Sequence, residues 1–413
     1  GSSMKIWIKY LLAAIVGVLL GIYVFEPGEA VPENLSFLAD LTKNIGRYTV
    51  YPMVFFSLAY ASYKLRVDRR ILMVYAKSMV IIALSGALLT VIGTAAVYLL
   101  SPERIPIIVE TERIYSFPGL KEILHETFPA NLFSIFTGNG DFLFPLMLFS
   151  IFLGLNFSFD KIHTRPAIQL FDSFTRIFYH MAKFVLELLG FGLVILAAAM
   201  VVSIRSTPEI ELYSQLILLI GLLTAIILLG IYPIILYFLA GRENPYKYLY
   251  AISAPAIAAF LSGNSYFSFT TLAPHVMENL GIPRKVGATT LPLFTLIGKA
   301  GTAMVTSVTF IVIVRSYSSL GFGVDTLLWV MGFSLLTSLL TGSVPGLGVV
   351  VALSTMCGLY GRGIEDGFLI VQPVLPLLMS FAVLLDVVTA ALGTVIVSHT
   401  EDNKRDVYAK DFI

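Results

Sequence analysis

Two ionisable residues stand isolated inside long apolar stretches: Lys299, within Leu296-Ile297-Gly298-Lys299-Ala300-Gly301, and Asp386, within Leu384-Leu385-Asp386-Val387-Val388. Lys299 lies about 14 residues from either end of an apolar 286–314 segment, roughly 20 Å at about 1.5 Å per residue, so its side chain cannot extend to water. A lysine at the centre of a bilayer costs at least about 2.5–3.5 kcal/mol on insertion scales, which places it toward the protein interior with a partner. Such an ammonium can occupy the electrostatic place of a bound cation. By losing its proton it can instead couple a process to protons, or it can serve only as one half of a static ion pair. Asp386 is the only acidic residue in the interior of its span and the natural partner for Lys299. It can also contact a cationic group on a substrate or carry a proton. A second kind of chemistry belongs to two polar interruptions of apolar sequence, Ser262-Gly263-Asn264-Ser265-Tyr266-Phe267-Ser268 and Thr341-Gly342-Ser343-Val344-Pro345-Gly346-Leu347-Gly348. Backbone N–H groups and helix N-termini freed at such breaks bind an anionic group such as a carboxylate. The candidate binding residues are therefore Ser262, Gly263, Asn264, Ser265 and Ser268 in the first, and Val344, Pro345 and Gly346 in the second. A plain glycine-rich loop is the alternative.

These residues need a membrane around them. The chain has 413 residues, 57% hydrophobic and 13% charged, with a mean hydropathy of +0.87; a soluble domain carries about 25% charged residues. A water-soluble fold is excluded. The formal charge of +1 and the lack of a long basic run exclude nucleic acid as a partner. The lone Cys357 permits no internal disulfide. None of the five histidines has a second His or Cys at metal-ligand spacing, and no HExxH, GxSxG or GxGxxG pattern occurs. No enzyme and no cofactor is expected, and a metal site is left unassigned.

A membrane helix needs about 20 apolar residues, and such windows fall near 6–25, 46–64, 71–100, 142–158, 172–204, 211–240, 286–314 and 366–397. The stretches 250–280 and 323–358 are each broken near the middle. Lipid cannot satisfy freed backbone groups, so such breaks must be buried in protein or line a watery cavity. The expected fold is an all-α polytopic membrane protein with eight transmembrane helices plus two re-entrant helical hairpins. Paired interrupted segments also point to a transporter's binding site. Gly1-Ser2-Ser3 before Met4 reads as an expression-tag scar. Lys64, Arg66, Arg69 and Arg70, then Lys161 and Arg165, Arg242 and Lys247, and Arg284 and Lys285 fall on one side if the N-terminus is cytoplasmic. The 401–413 tail, with Lys404, Arg405 and Lys410, then faces inward in the inner (plasma) membrane. The 101–130 loop, with Glu103, Glu110, Glu112 and Glu122, faces outward. Lys183 and Glu187, four apart on the fifth helix, are expected to pair across one turn. His275 and Met277 read as core residues.

In four patches the sequence resembles the dicarboxylate/amino acid:cation symporter family, which includes glutamate and aspartate transporters. These are Pro345-Gly346-Leu347-Gly348; the run from Leu291-Pro292-Leu293 to Gly301-Thr302-Ala303; Gly393-Thr394-Val395-Ile396-Val397-Ser398-His399-Thr400-Glu401; and Pro129-Ala130-Asn131-Leu132-Phe133. The resemblance implies a homotrimeric secondary transporter working by an elevator mechanism. It implies a scaffold from 4–70 and 131–245, and a transport domain from the third helix, 71–100, and from 246–400. It also implies a substrate contact for Thr302. At the family's Asn-Met-Asp-Gly-Thr break this chain has Gly298-Lys299-Ala300-Gly301-Thr302, and the family's Tyr and Thr-Ser sodium ligands align with Ile82 and Ser85-Gly86. Its substrate-binding Asp and Arg align with Met379 and Ala382, and Asp386 takes the place of a family Asn. The expected function is a symporter of a small organic solute, an amino acid or carboxylate, with altered or reduced sodium coupling. The alternatives are a proton-coupled or uncoupled carrier of a non-acidic solute, or a transport-dead channel-like or receptor-like protein.

Overall fold

A computed structural model of the chain describes residues 4–107, 115–138, 140–319, 321–401 and 405–413. The tag scar 1–3, Glu110, Glu112 and Lys404 lie outside the described residues. Among those described, all regular structure is helical. In order these helices are α1 (Ile6–Tyr23), α2 (Glu33–Arg47), α3 (Val50–Val67), α4 (Ile71–Leu100), α5 (Leu120–Thr127), α6 (Phe144–Asn156) and α7 (Lys161–Ser206), then α8 (Ser214–Ile226) and α9 (Tyr232–Leu239). The second half holds α10 (Tyr246–Ala251), α11 (Ser253–Ser262), α12 (Ser265–Glu278), α13 (Arg284–Ile297), α14 (Ala300–Tyr317), α15 (Val324–Leu340), α16 (Gly348–Tyr360) and α17 (Leu375–Thr400).

Seven helical segments among the described residues are long and apolar enough to cross a membrane. Six fall on expected spans, and the seventh, Val324–Ser343, is the first arm of the expected second hairpin. The expected spans 46–64 and 142–158 fall short of that standard. The first begins inside the amphipathic α2, where the chain bends at Tyr48-Thr49, and continues as α3, whose last turn carries Lys64 and Arg66. The second forms only the 13 residues of α6, about 20 Å long where a bilayer core is about 30 Å thick. In the opposite direction, the 172–204 span is the later part of a 46-residue helix, because Asp160 caps it with its carboxylate on the Ile162 and His163 N–H groups and the polar residues after it stay helical.

Small residues let these helices approach closely. A side chain at Gly17 or Gly21 of α1 would collide with Val194, Ala197 or Val201 of α7, and one at Gly154 of α6 with the Ala59 carbonyl of α3. The segment Ile210–Leu239 is interrupted by a π-turn at Ile227–Ile231. Pro233 has no N–H to offer the Leu229 carbonyl, so the helix widens there. The Tyr246 hydroxyl donates to that same carbonyl at 2.7 Å. α8 packs on α14 and α17, and α9 on α17. The centre of the molecule is α14, buried continuously from Ala300 to Val314, with α12 buried from Ser265 to Val276.

The pairing expected within α7 is corrected. Lys183 bonds Glu278 at the end of α12, and Glu187 bonds Lys9 of α1. Side chains this long reach neighbouring helices that tertiary packing holds in place, and a Lys preceding a Glu is the weaker i,i+4 order. His275 is 1% exposed, in keeping with a core residue.

Candidate functional site

The two polar interruptions form turns between paired helices. α11 ends at Gly263, which takes the left-handed φ of +58° and donates to the Ala259 carbonyl, a glycine C-cap. Asn264 then caps α12, its Oδ1 accepting from the Tyr266 and Phe267 N–H groups at 2.9 and 3.1 Å. Ser262 Oγ accepts from the Asn264 N–H at 3.2 Å, and Ser268 Oγ donates to the Asn264 carbonyl at 2.8 Å. Most polar groups of tip 1 therefore hold the turn itself. Tip 2 runs through a 3-10 turn, Thr341–Ser343, to Gly346 at φ +81°, and α16 begins at Gly348. A side chain at Gly342 would collide with the Leu296 carbonyl, so glycine lets tip 2 press on the end of α13. A Cβ at Gly346 would sit 3.7 Å from Asn264 Nδ2, so the two tips abut. The first free N–H of α16, on Val349, donates to the sulfur of Met379 at 3.1 Å.

The third part is the break between α13 and α14. Lys299 occupies the N-cap position of α14 with φ −106° and ψ 49°, and its Nζ donates to Ser265 Oγ in tip 1 at 2.9 Å. Asp386 of α17 faces the N-terminus of α14. Its Oδ1 accepts from the Thr302 N–H at 3.0 Å and its Oδ2 from the Thr302 hydroxyl at 2.6 Å. Gly301 permits this approach, since a side chain there would collide with Leu385 and the Ala382 carbonyl. A carboxylate at a helix N-terminus is favoured by charge-assisted bonds and by the helix dipole. Lys299 is 8% and Asp386 4% exposed. Asp386 is a candidate partner for Lys299 by sequence; among the described residues the two form no ion pair within 4.0 Å. Each has nearer polar partners, Ser265 for the ammonium and Thr302 for the carboxylate.

A cavity of about 520 Å³ opens beside the tips. Of the predicted site residues it reaches Ser262, Gly263 and Gly346; Asn264, Ser265, Ser268, Lys299, Thr302, Val344, Pro345 and Asp386 are not in its walls. Its walls also include Met379 and Ser380 of α17, Gln372, and Ser36, Asp40 and Lys43 of α2, with Tyr115, Ser203 and Thr207 adding further polar groups. The α2 residues carry no sequence signal for this position, since they read as the polar face of an ordinary amphipathic helix.

A sequence model of the sodium:dicarboxylate symporter family matches residues 6–400. The chain belongs to that family. A comparison with curated proteins finds no match. Membership in this symporter family makes the molecule a secondary transporter embedded in a lipid bilayer, moving a small-molecule substrate, and not an enzyme. At the helix break the oxygen side chains are already bonded to each other, Thr302 to Asp386, and an ammonium reaches the neighbouring tip. A hard cation wants several free oxygen ligands.

Proposed function

We propose that this symporter-family protein carries a small organic solute, an amino acid or a carboxylate, with the Lys299 ammonium standing in for a coupling cation at the α13–α14 break. The observation that carries the reading is the Lys299 Nζ bonded to Ser265 Oγ, buried at the junction of the break and tip 1. A fixed positive charge there supports the tip electrostatically without recruiting an ion, so coupling through that site is reduced. The exposed groups of the tips, together with Ser380, place a few polar groups in the mostly apolar cavity of about 520 Å³, a pocket of suitable size for such a solute. In this reading α11–α12 and α15–α16 are re-entrant hairpins. The 246–400 helices with α4 move as an elevator against a trimeric scaffold, in a plasma membrane with both termini cytoplasmic.

The test begins with a thermal-shift screen of purified protein against amino acids and carboxylates, with and without sodium and across pH, since a site-bound ligand stabilises the fold. The ligand found is then followed into proteoliposomes. Wild type is expected to take it up saturably with weak sodium dependence, and Lys299→Met to change the sodium or proton dependence. An identical ion profile in the two proteins would remove the role given to Lys299.

A further inference from the structure

Tyr266 is the second residue of α12 and is 1% exposed. Its hydroxyl donates to the Gly342 carbonyl in tip 2 at 2.8 Å and accepts the Leu143 N–H, one residue before α6, at 3.1 Å. A phenol has one proton to give and lone pairs to receive, so a single oxygen joins tip 1, tip 2 and the start of α6. The segment before α6 is itself held from the α2–α3 side. Arg47 donates to the Gly140 carbonyl and to Asp141 Oδ1, at 2.7 and 2.8 Å, and the Tyr51 hydroxyl donates to the Phe142 carbonyl at 2.6 Å. The Arg47 guanidinium also lies 5.7 Å over the Tyr266 ring.

We propose that Tyr266 is a positioning residue that makes the seating of tip 2 conditional on the docking of the 140–143 segment. Hydrogen bonds in a chain polarise one another. A hydroxyl that accepts from Leu143 donates more strongly to Gly342, and loss of either bond weakens the other. The buried groups released have no water to turn to, so the two contacts persist or fail together. For its consequence in transport this rests on the carrier reading. The junction itself is testable without a substrate.

The experiment is amide hydrogen exchange on the full chain in nanodiscs. In Tyr266→Phe the segments 140–145 and 341–349 are both expected to exchange about fivefold faster, the scale of one lost neutral hydrogen bond. Acceleration of only one of them, or of neither, overturns the proposal. A second variant avoids the core: Asp141 is 55% exposed and paired with Arg47, and Asp141→Ala loosens 140–143 from Arg47. Faster exchange in both 140–145 and 341–349 supports the coupling, and faster exchange confined to 140–145 overturns it. A chain that shows the coupled pattern but takes up no solute keeps the junction and removes the carrier reading. A carrier lacking the pattern does the reverse.

Discussion

At the scale of single residues, the organising fact is that one helix break handles two opposite buried charges separately. Asp386 is bound by the amide and hydroxyl of Thr302, while Lys299 is turned toward Ser265. Both still compensate the same region, because removing one leaves the other as an unbalanced charge in a core. Asp386→Asn is expected to lower stability by about 3 kcal/mol. The double variant Lys299→Met with Asp386→Asn is expected to recover part of that loss, so chemical unfolding of the two single variants and the double variant checks the coupling. The positions of Lys299 and Asp386 were legible in the sequence because each interrupts an apolar window. Their partners were not. Ser265 and Thr302 stood out only as a tip residue and as part of a family motif. What turns them toward the charges is the way α13 ends at Ile297 and α14 restarts at Ala300, a backbone event that hydropathy does not report. Lys183 and Glu187 show the converse, a spacing that permits a bond which neighbouring helices supply better.

At the scale of elements, the clearest joint is between the end of α17 and the start of α4. The Glu401 carboxylate, 3% exposed, accepts from Arg70 through Nε and Nη2 at 2.7 Å each and from Lys77 Nζ at 2.6 Å. The bond from Arg70 first, and then Lys77, holds the Glu401 carboxyl below its ordinary value of 4.5. A lowered folded-state value means stabilisation that is complete above the ordinary range and is lost as pH falls through the folded value. The unfolding midpoint is therefore expected to drop with acidification below about pH 4.5, and Glu401→Gln to flatten that part of the profile. An equally steep fall in the variant would assign the acid sensitivity elsewhere. Element existence was well legible, since six expected spans coincide with long apolar helices. Lengths were less so. Hydropathy loses α7 where its polar first turns leave lipid, and it credits α6 with more residues than Asn156 allows. Glu401 itself was visible as the end of a family patch, but its cationic partners lie 331 and 324 residues away in sequence.

At the scale of the whole molecule, the two ends of the described chain meet. Lys5 Nζ donates to the carbonyls of Ala409, Lys410 and Phe412 at 3.2, 3.2 and 3.0 Å. The Arg405 N–H donates to the Gly281 carbonyl, the Ile413 N–H to Asn279 Oδ1, and Phe412 is 6% exposed against Tyr250. The 405–413 segment thus straps the start of α1 to the turn after α12. The sequence suggested only a short polar tail, because one phenylalanine among charged residues makes no periodic pattern. Phe412→Ala is expected to lower stability by about 2 kcal/mol and to speed amide exchange at 279–283; unchanged protection there would show the strap to be loose. The π-turn at Ile227–Ile231 bears on how such a molecule is made. Its open Leu229 carbonyl is answered by a tyrosine 17 residues downstream, so at the ribosome this span leaves the translocon with a gap in its ladder. Only when Tyr246 has also been synthesised can the gap be closed, and the helix and the segment that follows it mature as one unit of insertion.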